Sequence, residues 1–261
     1  MKTFHFDISF CAGQPAFLDL FLLEDSPLVD IIERPIVIIC PGGGYSFISD
    51  READIVAMQY LAMGYHAAVL RYSVAPACFP TALLELGKAI ILLKTHSNEW
   101  CINPSQIIIS GFSAGGHLAA SYAVFWDKEW LLKELKISNK EFIQPNALIL
   151  GYPVISSGKY AHKNSFRNLL GEDYNEKKDL VSLEKHVKEQ VPRTFIWHTY
   201  EDKDVPVWNS LLFVEKLIEN NVPTEFHLFE KGKHGRSLGN RLTGDSKTLP
   251  CSAWTELVHQ W

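Results

Sequence analysis

Pro35-Ile-Val-Ile-Ile-Cys40 is a run without one polar side chain, and it narrows the architectures open to this chain. A strand with one wet face alternates apolar and polar residues. A strand that is apolar throughout has both faces covered, as in a parallel sheet flanked by helices. The segments that follow keep to that scheme. Residues 54–63 read as a helix, 66–71 as a strand, 81–96 as a helix, 106–110 as a strand and 114–126 as a helix. Further strands are expected at 147–150, 194–198 and 224–230, with helices at 207–220 and 252–261. This alternation specifies an α/β fold built on a doubly wound, mostly parallel sheet. The beginning differs: Phe4, Phe6, Ile8 and Phe10 alternate with polar residues, and 16–23 alternates again. That pattern predicts an N-terminal antiparallel hairpin at the sheet edge.

No repeat, low-complexity tract or linker divides the 261 residues, so 1–261 reads as a single domain. Two stretches depart from the alternation: 127–144, charged and amphipathic, and 156–190, rich in Lys, Glu and Asn. Each is a candidate cap or insertion over the active-site edge, with a solvated helical excursion as the alternative. The net charge is −5 and no block of Lys or Arg occurs, which leaves nucleic acid and anionic membranes without an electrostatic footprint. No apolar run approaches the ~18 residues of a membrane span. The five cysteines are scattered without a C-x-x-C pair, and residues 1–7 contain no signal-peptide core. Buried free thiols and a cytoplasmic location are the corresponding expectations.

Gly111-Phe-Ser-Ala-Gly115 is a G-x-S-x-G box, preceded by the strand pattern Gln106–Ser110 and followed by a helix pattern. In that strand–turn–helix context the serine is held in a strained turn with its hydroxyl exposed over the sheet edge. The N-terminus of the helix behind it offers unpaired backbone N–H groups to negative charge. A purely structural turn is the alternative, but the context favours a nucleophilic Ser113.

A serine hydroxyl needs a base, and the base needs an orienting group. In an open parallel sheet both come from loops at the carboxyl ends of strands. His234, in the Gly-flanked loop Lys231-Gly-Lys-His-Gly235, is the favoured base among ten histidines. His117 lies one helical turn behind the serine and reads as a packing or hydrogen-bonded histidine; His198 and His227 fall inside strands. The acid comes from Tyr200-Glu-Asp-Lys-Asp204, with Asp202 preferred, Asp204 next and Glu201 a minor candidate. Asp204 also has a rival role near the start of the following helix, where a carboxylate interacts favourably with the dipole.

Developing negative charge on a substrate carbonyl calls for two or three N–H donors. Ala114, after the nucleophile, is one, and the loop Pro41-Gly-Gly-Gly-Tyr45 supplies the others, because glycines let the backbone approach the substrate closely. No Gly-Lys-Ser/Thr follows, which argues against a phosphate-cradling loop. Ser182-Leu-Glu-Lys185 matches S-x-x-K without its companion motifs, and no metal-ligand spacing such as H-E-x-x-H occurs. Neither a metal nor another cofactor is implied.

Cys40-Pro-Gly-Gly-Gly-Tyr45, Leu70-Arg-Tyr-Ser73, Gly111-Phe-Ser-Ala-Gly-Gly-His117, Gly151-Tyr-Pro153, Trp197-His-Thr-Tyr-Glu-Asp202 with Val205-Pro206, and Gly232-Lys-His-Gly235 together carry a resemblance. The chain resembles α/β-hydrolase-fold esterases of the acetyl-xylan-esterase and lipase-like group, related to the hormone-sensitive-lipase class. The resemblance implies Ser113, Asp202 and His234 as a triad and Gly43, Gly44 and Ala114 as oxyanion donors. One position departs: the class usually carries His before the three glycines, and here Pro41 stands there.

The expected activity is hydrolysis of short acyl esters, acetyl above all, of carbohydrates or small molecules through an acyl-serine intermediate. Tyr45, Tyr72, Tyr152 and Trp208 are candidates to line a sugar-accommodating cleft. A serine peptidase, a longer-chain lipase and a non-catalytic hydrolase-fold binding protein are the alternatives. Homo-oligomer formation is compatible with the sequence, which does not specify it.

Overall fold

Eight strands and eight α-helices occur among residues 1–24, 28, 31 and 33–261, the residues described by the computed structural model. The strands are β1 (Lys2–Asp7), β2 (Phe17–Leu22), β3 (Arg34–Cys40), β4 (His66–Arg71), β5 (Ile102–Phe112), β6 (Ala147–Gly151), β7 (Arg193–Thr199) and β8 (Thr224–Phe229). The helices are α1 (Asp54–Ala62), α2 (Thr81–Thr95), α3 (Ala114–Phe125), α4 (Glu129–Leu135), α5 (Lys163–Leu170), α6 (Tyr174–Lys177), α7 (Trp208–Glu219) and α8 (Trp254–Gln260). The sheet runs β1-β2-β4-β3-β5-β6-β7-β8. β1 pairs antiparallel with β2, and β2 antiparallel with β4; from β4 to β8 all pairs are parallel. This is the α/β-hydrolase arrangement with its N-terminal antiparallel hairpin.

The apolar run of β3 has its cause in two cores. Ile36, Ile38 and Cys40 face one side and pack with residues of α2, α3, α4, α5 and α7. Val37 and Ile39 face the other side, against α1 and α8. From Ile36 to Cys40 neither face of the strand meets water, so polar residues have no place there. Each fully buried aliphatic side chain here contributes about 1.5–3 kcal/mol through burial.

β5 begins at Ile102, ahead of the start expected at residue 106. Its first residues, Asn103, Pro104 and Ser105, carry no hydrophobic pattern, but Arg34 pairs with Ile102 before a register shift leads to Ile36 opposite Ile107. The last helix is also shorter than the pattern 252–261 implied, because residues 250–253 form a 3-10 turn. Of the irregular stretches, 127–144 yields α4, whose Leu135 packs on Gly87 of α2; a Cβ at Gly87 would meet Leu135 Cδ1 at 2.5 Å. The stretch 156–190 yields α5 and α6.

Register brings five loops to one edge. Cys40 lies beside Gly111, Phe112 beside Gly151, Gly151 beside Trp197 and Thr199 beside Phe229. The segments that leave β3, β5, β6, β7 and β8 therefore emerge together, at the carboxyl ends of the parallel strands. In an open α/β sheet this is the edge where ligands bind.

Candidate active site

Ser113 joins β5 to α3 with φ 53° and ψ −119°, a backbone conformation that costs a residue with a Cβ of order 1–3 kcal/mol. The turn is over-determined by its neighbours. The Ser113 N–H donates to Gly151 O, and the Ser113 carbonyl accepts from His117 and Val154. Gly115 lies so close to β3 that a Cβ there would sit 2.0 Å from the Cys40 carbonyl oxygen. The small residues of the box thus allow α3 to start against the end of the neighbouring strand, with the serine side chain left over the sheet edge.

Ser113 Oγ is 2.7 Å from His234 Nε2, and His234 Nδ1 is 2.6 Å from Asp202 Oδ2. Facing a carboxylate, Nδ1 carries the proton, so Nε2 is the acceptor for the serine O–H. The Asp202 side chain has no exposed surface. Its other oxygen, Oδ1, accepts the N–H groups of Asp204 and Val205 at 3.1 and 2.9 Å. Burial pushes the Asp202 carboxyl upward, yet His198 and His234 outweigh that effect and hold it well below the usual carboxylate range. His198 is the second imidazole on this acid. Its Nε2 lies 2.9 Å from Val205 O and 3.4 Å from Asp202 Oδ2, while Nδ1 is 2.8 Å from Ser210 Oγ. Two acceptors in front of Nε2 place the proton there. Asp204 is exposed at the cleft, and Asp202 is the carboxylate bonded to His234.

The glycine loop is arranged by its carbonyls. Gly42 O accepts Ser49 N–H at 3.0 Å; Gly43 O accepts Ser46 and Phe47 N–H and the Ser46 hydroxyl. In a trans peptide the N–H points opposite to the C=O. Tying both carbonyls into residues 46–49 therefore turns the N–H groups of Gly43 and Gly44 the other way, and neither finds an acceptor among the described residues. Gly43, at φ 124°, admits no side chain: a Cβ would lie 1.9 Å from Phe47 O. The first-turn N–H of Ala114 is likewise unpaired among the described residues. Gly43 and Gly44 share a cleft of about 860 Å³ with Ser113 and His234.

None of the four aromatic candidates is among the residues that line that cleft. Tyr45, Tyr72 and Tyr152 are buried, each with its hydroxyl taken by an internal partner. Tyr45 Oη is 2.9 Å from His117 Nδ1, Tyr72 donates to Pro41 O at 2.7 Å, and Tyr152 donates to Glu52 Oε1 at 2.6 Å. A buried phenol needs such a partner, and these three were drawn inward to supply one. Tyr72 and Glu52 also anchor the glycine loop at Pro41. Between them they fix the Pro41 carbonyl and the Gly42 N–H, which Glu52 Oε2 accepts at 2.8 Å. Trp208 remains half-exposed and stacks on Tyr160 with centroids 5.2 Å apart and planes 12° apart.

The cleft wall contains groups that the sequence did not advertise. His162 and three residues of α5, Asn164, Arg167 and Asn168, line it together with Phe47 and Arg51. Asn168 donates to Gly44 O at 2.8 Å and so braces the glycine loop from outside the sheet. Burial, and then the neighbouring His234, hold the His162 imidazole below its ordinary value, against the raising influence of Asp204 and Asp202. Another cleft, of about 330 Å³, lies at the opposite end of the strands, lined in part by Pro35, Tyr65 and Trp261. It contains none of the groups described above.

Comparison with known proteins gives the fold a family. Residues 23–217 match the BD-FAE family model. The chain is 34% identical over 220 residues to endo-1,4-beta-xylanase B of Butyrivibrio fibrisolvens, covering 81% of this chain and 34% of that protein. It is 28% identical over 208 residues to an acetylxylan esterase of Xylanibacter ruminicola, covering 76% and 40%. The chain thus spans between a third and two fifths of the length of these relatives. Among solved structures, a carboxylesterase from Lactobacillus plantarum WCFS1 superposes with a TM-score of 0.88 at 30% identity, covering 100% of this chain and 96% of that one. An acetyl ester-xyloside bifunctional hydrolase from Caldicellulosiruptor lactoaceticus superposes with a TM-score of 0.83 at 34% identity, covering 95% and 88%. With three quarters of its length inside the family model and esterases among its structural neighbours, the chain belongs to the BD-FAE family of α/β-hydrolases.

Proposed function

We propose that this protein is a serine carboxylesterase that removes short acyl groups, acetyl above all, from carbohydrate or other polar alcohols. The observation that carries the reading is the unbroken line Ser113 Oγ to His234 Nε2 to Asp202 Oδ2, at 2.7 and 2.6 Å. Ser113 Oγ attacks the ester carbonyl while His234 Nε2 takes its proton. Asp202 keeps the imidazole in the required tautomer and stabilises its cationic form. The oxyanion is received by the N–H groups of Gly43, Gly44 and Ala114, each typically worth about 3 kcal/mol in the transition state. Collapse releases the alcohol, which takes the proton back from His234, and leaves an acyl-Ser113. Water, deprotonated by the same imidazole, then releases the acid.

The choice of substrate rests on the cleft and on the relatives. Asn164, Asn168, Arg51 and Arg167 surround the mouth with hydrogen-bond donors, which suits a hydroxyl-rich alcohol better than an alkyl chain. Tyr160 and Trp208 stack on one another, two residues from His162 and four from Asp204 along the chain. The acetyl preference follows the names of the acetylxylan esterase and of the acetyl ester-xyloside hydrolase. Ser113→Ala is expected to lower kcat by at least about 10³-fold and to abolish labelling by a fluorophosphonate probe. Aryl acetate should be cleaved far faster than the C12 ester and than an aminoacyl anilide, with acetylated xylo-oligosaccharides and simple sugar acetates as the natural-alcohol arm. Preference for the C12 ester would replace this reading with a lipase, and preference for the anilide with a peptidase.

A further inference from the structure

Glu52 is a buried carboxylate between the two loops on which the proposed chemistry depends, and that chemistry assigns it no part. Its Oε2 accepts the Gly42 N–H at 2.8 Å, at the root of the glycine loop. Its Oε1 accepts the Tyr152 hydroxyl at 2.6 Å. The same hydroxyl accepts the Ser237 N–H at 2.8 Å, three residues beyond His234. A continuous chain of hydrogen bonds therefore runs from the glycine loop to the histidine loop: Gly42, Glu52, Tyr152, Ser237. Every member is nine-tenths or more buried. Burial, and then the Glu52 charge, push the Tyr152 phenol well above its ordinary value, so it stays protonated as the donor this chain needs.

Two parallel ties reinforce the link. Ser237 Oγ donates to Arg51 O at 2.7 Å, and the Arg51 guanidinium donates to Gly235 O at 3.0 Å. The Tyr152 ring also meets the His234 imidazole edge to face, with centroids 5.1 Å apart at 73°. Space at this point is already filled, since a Cβ on Gly42 would lie 2.7 Å from Glu52 Oε2 and 2.9 Å from Ser113 Cβ. A shift of the carboxylate is thereby passed to the glycine loop on one side and to the imidazole on the other. We propose that Glu52 and Tyr152 are positioning residues, a buried pair that holds the oxyanion donors and His234 in fixed relation about Ser113. This rests on the esterase reading above and adds to it a reason for a buried carboxylate at the edge of the cleft.

Glu52→Gln keeps the shape and one acceptor but leaves one of the two donors unmatched; Tyr152→Phe removes the bridge between the loops. Steady-state hydrolysis of aryl acetate and inhibition by a trifluoromethyl ketone, which mimics the tetrahedral intermediate on a serine, are measured on the whole chain. Each variant is expected to lose about 10–100-fold in kcat with KM within about threefold, and ketone affinity should fall in step with kcat/KM. The double variant should lose little more than the worse single one, because both substitutions break one chain. The proposal is overturned by a folded variant, either of the two, whose kcat stays within about twofold of wild type. It is equally overturned by a loss carried by KM alone with ketone affinity unmoved. Should Tyr152→Phe fail to fold, the isosteric Glu52→Gln decides. Ser113→Ala serves as the control: if it retains activity, the serine reading fails, whereas an inactive Ser113→Ala beside fully active Glu52→Gln and Tyr152→Phe sinks only the positioning role.

Discussion

At the scale of single residues, Asp202 and Asp204 sit two positions apart and face opposite fates. Asp202 is sealed from solvent with both oxygens engaged; Asp204 lies exposed at the cleft. Asp202→Asn is expected to lower kcat by about 10³–10⁴-fold, and Asp204→Asn by less than about tenfold, measured with aryl acetate. The reverse order would move the acid. Ser113 supports a second expectation of opposite sign for stability. At φ 53° it occupies a conformation comfortable only for glycine, so Ser113→Gly should raise the free energy of unfolding by about 1–3 kcal/mol in urea titrations while activity disappears. The residues brought together around Ser113 were legible because the chemistry asks for a residue type at the carboxyl end of a strand, and few positions satisfy both demands. The tyrosines were not legible. Aromatic residues near a motif look alike in sequence whether they face a cleft or complete a buried hydrogen bond, and Tyr45, Tyr72 and Tyr152 took the second course. Glu52 was hidden for the same reason, as a charge in a short turn that reads like any surface acid.

At the scale of elements, α3 shows how a helix can be set by what surrounds it. All twelve of its residues are buried, with small side chains against β3 and β6. Inside it, His117 is satisfied on both nitrogens, by Tyr45 Oη and by Val181 O. Burial pushes this imidazole down from 6.5 to about 4, a little offset by the Val181 hydrogen bond. The unfolded chain takes up a proton near pH 6.5 while the native one resists to about pH 4. Stability is therefore fully present above 6.5 and declines as pH falls toward 4, by about 3 kcal/mol in total. His117→Gln should flatten that part of the profile, read as urea midpoints at pH 7 and pH 5. Element types followed from hydrophobic period in the parallel sheet, most plainly in β3, β4, β6 and β7, whose two faces are covered. The ends did not: β5 starts in the polar Asn103–Ser105 because a backbone partner at Arg34 extends it, and no side-chain pattern records that. The helices in 156–190 were obscured by a Lys-, Glu- and Asn-rich composition, although α5 buries Phe166, Leu169 and Leu170.

At the scale of the molecule, the cores on the two faces of the sheet are joined through every central strand, whose alternate residues serve one or the other. Neither core has a boundary at which it could melt alone. Thermal unfolding is expected as one transition, with tryptophan fluorescence and far-ultraviolet circular dichroism giving coincident curves; separated midpoints would show two units. Among the described residues no helix is long and apolar enough to cross a membrane. The wall formed by His162 and α5 has a consequence for how such a molecule can diversify. That wall belongs to an excursion between β6 and β7, whereas the proposed hydrolytic groups hang from the strands themselves. Exchanging the excursion could retune which alcohols are accepted and leave the bond-breaking apparatus intact. On the proposed reading Asn168, through its grip on Gly44, is the position where a change of diet and a change of reactivity become the same mutation.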